Sequence, residues 1–139
     1  MEKLKELVAH HQAMIRPASK NNIQDLEDSL GFHLSEDYKA FLSAFGVIIY
    51  DAYETYGLGV PEDYHLNIKN IYADLKQDPA YPKTAVPLLD LGDGQYYLYD
   101  NSSSHILLWA TPNGGVVKQL DSSLESFLIK HIFGSPNAA

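Results

Sequence analysis

Between residues 19 and 46 the apolar positions fall at helical spacing twice over. Ile23, Leu26 and Leu30 share one face of a first predicted helix, and Gly31 is placed to supply a left-handed cap. Tyr38, Phe41, Leu42 and Phe45 repeat at i, i+3, i+4 and i+7 in a second, which Gly46 ends. Ser35 stands where that helix needs an N-cap, and Glu36 and Asp37 where its dipole favours carboxylates. Upstream, residues 2–14 read as a helix with Leu4, Leu7, Val8 and Ile15 inward, closed by Pro17. Downstream the pattern changes. "VIIYDAYETYGLGV" at 47–60 is β-branched and aromatic and is broken by Gly57 and Gly59, which predicts strands near 47–50 and 54–58. Pro61 to His65 is a turn or a first helical turn. Ile68, Ile71, Tyr72 and Leu75 then predict a helix over 66–77.

After the loop "DPAYP" at 78–82 the chain reads as a meander. Strands are expected at 86–91, 95–100, 106–109 and 116–120, with turns at "GDG" (92–94) and "TPNGG" (111–115). Ser122 and Glu125 have the spacing of a capping box. They open a last helix whose Leu124, Phe127, Leu128 and Ile132 face inward and which Gly134 stops, leaving 134–139 as a loose tail. The fold class is α+β: a twisted, mainly antiparallel sheet packed against N-terminal helices and a C-terminal helix. No repeat or linker divides the chain, so residues 1–139 are expected to form one domain.

A chain of 139 residues, 45% of them hydrophobic, is long enough to bury a core without staples. It has no cysteine, so neither disulfides nor thiolate metal sites can support it. The N-terminal "MEKLKELVAHHQ" lacks the apolar h-region of a signal peptide, and no apolar run is long enough to span a bilayer. The expected location is cytoplasmic, with no membrane partner. Eighteen acids against ten bases give a net charge of −8, which opposes nucleic-acid binding and suits a basic partner.

The candidate chemistry is thin. Of the six histidines, His10 and His11 are adjacent, hence about 100° apart on a helix, and cannot both face one ion. Glu6 and His10 at i, i+4 make half a metal site with no second half, and no H-E-x-x-H occurs. His131 is expected to serve as a dipole partner at the end of the last helix. "DNSSSH" at 100–105 holds the residue types of a hydrolase triad at the wrong spacing, with no G-x-S-x-G elbow. Asp90 and Asp93 lack the repeated ligands of a calcium loop, and "GLGVPE" at 57–62 lacks the lysine of a phosphate loop. Trp109 ends an apolar strand and is expected in the core. No catalytic residue, metal or cofactor is expected, and the chain is not expected to be an enzyme.

The unusual surface candidate is "YDAYETYGLGVPEDY" at 50–64. It sets Tyr50, Tyr53, Tyr56 and Tyr64 among Asp51, Glu54, Glu62 and Asp63. Tyrosine gives large contact area at low entropy cost and is enriched in recognition surfaces, and the acids can pair with Arg or Lys of a partner. Strand alternation would bury about half of these tyrosines.

The order of these segments resembles the SUKH superfamily, which joins yeast cell-wall-synthesis regulators to bacterial toxin-immunity proteins. The resemblance lies in "I-x-x-L-E" at 23–27, "LG" at 30–31, "L-x-E-D-Y-K-x-F-L" at 34–42 and "FG" at 45–46. It continues in Gly92-Asp93-Gly94 leading to Tyr96, Tyr97, Leu98 and Asp100, in "ILLW" at 106–109 and in "SSLESFL" at 122–128, so it spans about residues 19–133. Ser35 stands where the family usually has proline, and Leu124 where an aromatic is typical. The resemblance implies the SUKH fold and a protein-binding role. The leading expectation is an immunity protein that neutralises a cognate polymorphic or contact-delivered toxin, its partner being a basic toxin domain. The alternatives are a regulatory scaffold for an endogenous protein and, from another class, a small hydrolase or ligand-binding enzyme.

Overall fold

The computed structural model describes residues 1–111 and 114–134. The elements run α1 (Glu2–His11), β1 (Met14–Ile15), α2 (Lys20–Leu30), α3 (Glu36–Ala44), β2 (Ile48–Tyr50), β3 (Tyr53–Glu54), α4 (Ile68–Leu75), β4 (Ala85–Gly92), β5 (Gln95–Asp100), β6 (Ile106–Ala110), β7 (Gly115–Leu120) and α5 (Leu124–Phe133). The α+β reading holds, with the strands divided between two antiparallel sheets. One is β1-β2-β3, the other the meander β4-β5-β6-β7. The Tyr56 N–H donates to Leu88 O at 2.9 Å and ties the segment after β3 to β4, where the pairing with β5 is interrupted between Pro87 and Leu89.

Capping chemistry sets most of the helix ends. The side chains of Ser19, Ser35, Asn67 and Ser123 each accept a backbone N–H of the first turn that follows, and Gly31 closes α2 in the left-handed conformation. The core follows the apolar faces. Leu4, Leu26, Tyr38, Phe41, Leu42, Phe45 and Leu128 are buried between the helices and the meander. Trp109 centres a second cluster with Tyr81, Leu98 and Leu107, its indole N–H donating to Ala80 O at 3.3 Å.

Four expectations need correction. The first helix stops at His11, because Gln12 adopts a left-handed conformation (φ 57°) and reverses the chain. Met14 and Ile15, expected in that helix, pair instead with Ile49 and Ile48. The strand expected over 54–58 is only Tyr53–Glu54. Beyond it the backbone serves three neighbours in turn: Thr55 bonds Ile48, Gly57 bonds Leu66, and Leu58 bonds Gly46. The helix expected over 66–77 is shorter, because Asn67 caps it and Leu75 ends it. Finally, α5 is capped by Ser123 rather than Ser122, and Glu125 does not complete a capping box. The turn expected at 111–115 includes Pro112 and Asn113, which lie outside the described residues, as does the tail from 135 onward.

Residues 57–59 sit at a close backbone crossing. A Cβ on Gly57 would lie 1.7 Å from Gly46 O, and one on Gly59 1.8 Å from Arg16 O. Glycine is required at Gly57 by space alone, and three distant stretches of backbone meet there.

Candidate functional site

The segment 50–64 leaves the sheet at β3, crosses the glycine junction and returns to α4. Asn67 closes the loop: its amide nitrogen reaches Val60 O and Pro61 O at 3.3 and 3.4 Å, while its oxygen accepts the Lys69 N–H at 3.0 Å. Asp51, Tyr53, Glu54, Glu62, Asp63 and Tyr64 are all exposed. The structure therefore brings the four carboxylates and two of the tyrosines to the surface. Tyr50 is half-buried, its ring 5.3 Å from that of His11 and 5.0 Å from that of Phe133. Tyr56 is only 6% exposed and packs in a small cluster with Val47 and Leu66. A partner can reach it only through a cleft.

That cleft has a volume of about 300 Å³. Tyr53, Glu54, Tyr56, His65, Asp90 and His131 line it over an apolar base that includes Leu66 and Leu89. Burial pushes the Tyr56 phenol well above its ordinary range, and the nearby Asp90, Tyr96 and Glu54 add to the rise. One Asp90 oxygen accepts the Gly92 N–H at 2.7 Å and is thereby fixed by the GDG turn. His65 Nε2 lies 3.8 Å from Glu54 Oε1, an exposed and solvent-screened pair.

His131, Asp90 and His65 belong to this cleft but were no part of the surface expected from sequence. His131 lies on α5 one turn after Phe127, and the rings stack at 5.5 Å, with Tyr97 and Tyr53 each 5.3 Å away. Burial among these rings lowers its pKa, so aromatic packing defines its surroundings more than the helix dipole does. The Phe127–His131 spacing was the one available signal, since i and i+4 share a helix face. Tyr53 and His131 also border a second cleft of about 500 Å³ that carries Lys118, Lys130 and Asp121. The pair thus forms a ridge between an acidic hollow and a mixed-charge one.

The residues of "DNSSSH" are engaged in their own turn. Asp100 accepts the hydroxyls of Thr84 and, at 2.7 Å, Ser103. Burial alone would raise its pKa, but those bonds and the Ser102 and Ser103 N–H groups outweigh it and hold the carboxyl low. The His105 ring faces Asp121 at 3.8 Å, while Ser103 Oγ accepts the His105 N–H. Serine, histidine and aspartate therefore form no relay here. Of the two adjacent histidines, His10 faces solvent, whereas the His11 ring lies 4.9 Å from Phe133 in a stacked arrangement. Among the described residues no group of three or more His, Cys, Asp or Glu could hold a metal ion. Among the same residues, no helix is long and apolar enough to cross a membrane.

A helical N-terminal layer, a four-stranded antiparallel meander and a closing helix define a SUKH-type α+β domain. The family model SUKH_5, described as SMI1-KNR4 cell-wall, matches residues 1–133, and the chain belongs to that family. A crystal structure of a protein from Pseudomonas syringae pv. tomato has the same fold. It superposes with a TM-score of 0.79 at 16% identity, covering 97% of this chain and 100% of that one. No curated protein sequence matches the chain.

Proposed function

We propose that this protein is a protein-binding module, specifically a cytoplasmic bacterial immunity protein. It binds the basic toxic domain of a cognate polymorphic or contact-delivered toxin and blocks it by occlusion, without a cofactor. The observation that carries this reading is the loop of 50–64. It exposes Tyr53 and Tyr64 with Asp51, Glu54, Glu62 and Asp63 on a chain of net charge −8. Such a surface offers aromatic anchors inside a rim of charge that steers a basic partner. Membership of the family supports a binding role, and Asp100, Ser103 and His105 are engaged in their own turn rather than aligned as a triad. The family's cell-wall description favours a second reading, a regulatory scaffold for an endogenous protein, which would use the same face.

Co-expression with the C-terminal domain of a large secreted protein encoded beside this gene separates the two. Rescue of growth and co-purification of the pair support immunity. A chain that neither rescues growth nor captures that domain, yet retains an endogenous protein, supports the scaffold.

A further inference from the structure

The acidic cleft beside the binding loop contains more than surface acids. Tyr56 is 6% exposed, lines the cleft, and its hydroxyl makes no hydrogen bond among the described residues. Its ring is packed away while its hydroxyl is not sealed from solvent, so the oxygen is free to bond a ligand that enters the cleft. The carboxylates of Glu54 and Asp90 share that cleft, and the rings of Tyr53, His65 and His131 form its walls. One Asp90 oxygen accepts the Gly92 N–H, so the other remains for a ligand.

We propose that this cleft is a receptor pocket for a single arginine side chain presented by the protein partner. A guanidinium meets each element of it. It is planar and weakly hydrated, so it stacks on aromatic faces and leaves water readily. Its five N–H donors can serve two carboxylates and the Tyr56 oxygen together. A lysine ammonium is a strongly hydrated point charge and stacks less well. The proposal deepens the reading of 50–64 as the binding face and rests on it.

The test is a side-chain NMR titration of the full chain with N-acetyl-arginine N-methylamide, alongside its lysine and citrulline counterparts. The expected result is saturable shifts at Tyr53, His65 and His131 for the arginine compound, with a Kd on the order of 1–10 mM. Citrulline, which keeps the shape but loses the charge, should bind about tenfold more weakly, and lysine should also bind more weakly. Glu54→Gln with Asp90→Asn should weaken the arginine compound about tenfold, while preserving the acceptor at the GDG turn. Tyr56→Phe should weaken it several-fold in a protein that remains folded. Citrulline or lysine binding as well as arginine overturns the proposal, as does undiminished binding to the Glu54/Asp90 variant or no saturable shift. The same variants in the growth-rescue assay keep the two readings apart. Rescue that depends on Asp63 and Tyr53 without any arginine binding leaves the face standing and removes the pocket. Arginine binding with rescue untouched by any cleft or loop variant leaves the pocket standing and removes the face.

Discussion

Glu125 of α5 accepts the Leu4 N–H of α1 at 3.1 Å, across 121 positions of sequence. Helix α1 has no side-chain cap of its own, so the closing helix of the fold supplies the acceptor that its first turn needs. The Met1 amino nitrogen lies 3.3 Å from the same oxygen. The last helix thus holds the first through a charged acceptor as well as through the apolar core to which both contribute.

Removing that acceptor should loosen α1 before the rest. Glu125→Ala is expected to cost about 1–2 kcal/mol, in the range of lost caps and charged hydrogen bonds. Glu125→Gln should cost less, because the amide oxygen still accepts. Urea unfolding measures the loss, and hydrogen exchange should show it concentrated in α1. Equal exchange in parent and variant would mean that α1 is held by its apolar contacts alone.

Acid should weaken the fold through three carboxyls. Burial would raise the Glu125 pKa, but the Leu4 N–H and the Met1 amino group together bring it below its ordinary 4.5. Glu27 is also lowered, first by the Leu34 N–H at 2.8 Å and then by Lys39. Asp100 is lowered from 3.8 by the bonds described above. A depressed folded pKa means that the unfolded chain binds more protons, so stability is full above the ordinary values and falls as pH drops through the folded ones. Thermal melts from pH 6 to pH 2.5 should decline below about 4.5, and Glu27→Gln with Glu125→Gln should flatten that decline. A variant that declines as steeply as the parent assigns the acid loss elsewhere.

Gly57→Ala should be severely damaging through space alone. Its φ is unexceptional, so the cost comes from the Gly46 carbonyl 1.7 Å from the new carbon, which requires two backbone segments to separate. A loss of about 4 kcal/mol or more is expected. Gly92→Ala is the contrast: nothing lies within 4 Å of its added carbon, and its cost is that of a left-handed alanine, about 1 kcal/mol. Equal melting temperatures for the two variants would show that the crossing is looser than the geometry implies.

Tyr38 is fully buried, and its hydroxyl has no hydrogen-bond partner among the described residues. Its ring stacks 5.9 Å from both Phe41 and Tyr99, contacts that phenylalanine would keep. Tyr38→Phe is therefore expected to be neutral or to stabilise by about 1 kcal/mol. A clear loss of stability in urea would show that the hydroxyl is satisfied in solution.

On the proposed binding face, charge and anchor should separate kinetically. Asp63→Ala and Glu54→Ala should slow association with the basic partner and flatten its salt dependence. Tyr53→Ala should speed dissociation, weakening affinity by about 2 kcal/mol. Tyr56→Ala should lower stability too, because that ring belongs to the core beside Val47 and Leu66. Surface-binding kinetics at two salt concentrations distinguish these effects, and unchanged rates in folded Asp63, Glu54 and Tyr53 variants would place the interface elsewhere.

Where one local rule acted alone, sequence was enough. Ser35 caps α3 and Gly31 closes α2 because each needs only its own neighbours. Where two local solutions competed, tertiary packing decided. Ser122 and Ser123 can each cap a helix, and the start at Leu124 is the one whose Leu124, Phe127 and Leu128 all reach the core. The strand β1 has two residues and exists through its pairing with β2, a contact invisible to periodicity. In residues 50–64 the tyrosines and acids were readable, and the expectation that about half the tyrosines would be buried matches the exposure of Tyr53 and Tyr64 alone. The cleft was not, because Asp90 and His131 come from β4 and α5 and meet Glu54 only after folding.

The closure of the 58–66 loop bears on how this protein can diversify. Its base is fastened by the crossing at Gly57 and Gly59 and by Asn67, while Pro61 to His65 contribute exposed side chains above it. The stretch thus separates residues that carry the frame from residues that present side chains to the surface. On the proposed reading, residues 61–65 are the letters to rewrite for a new partner, while Gly57, Gly59 and Asn67 are the letters that hold the frame beneath them.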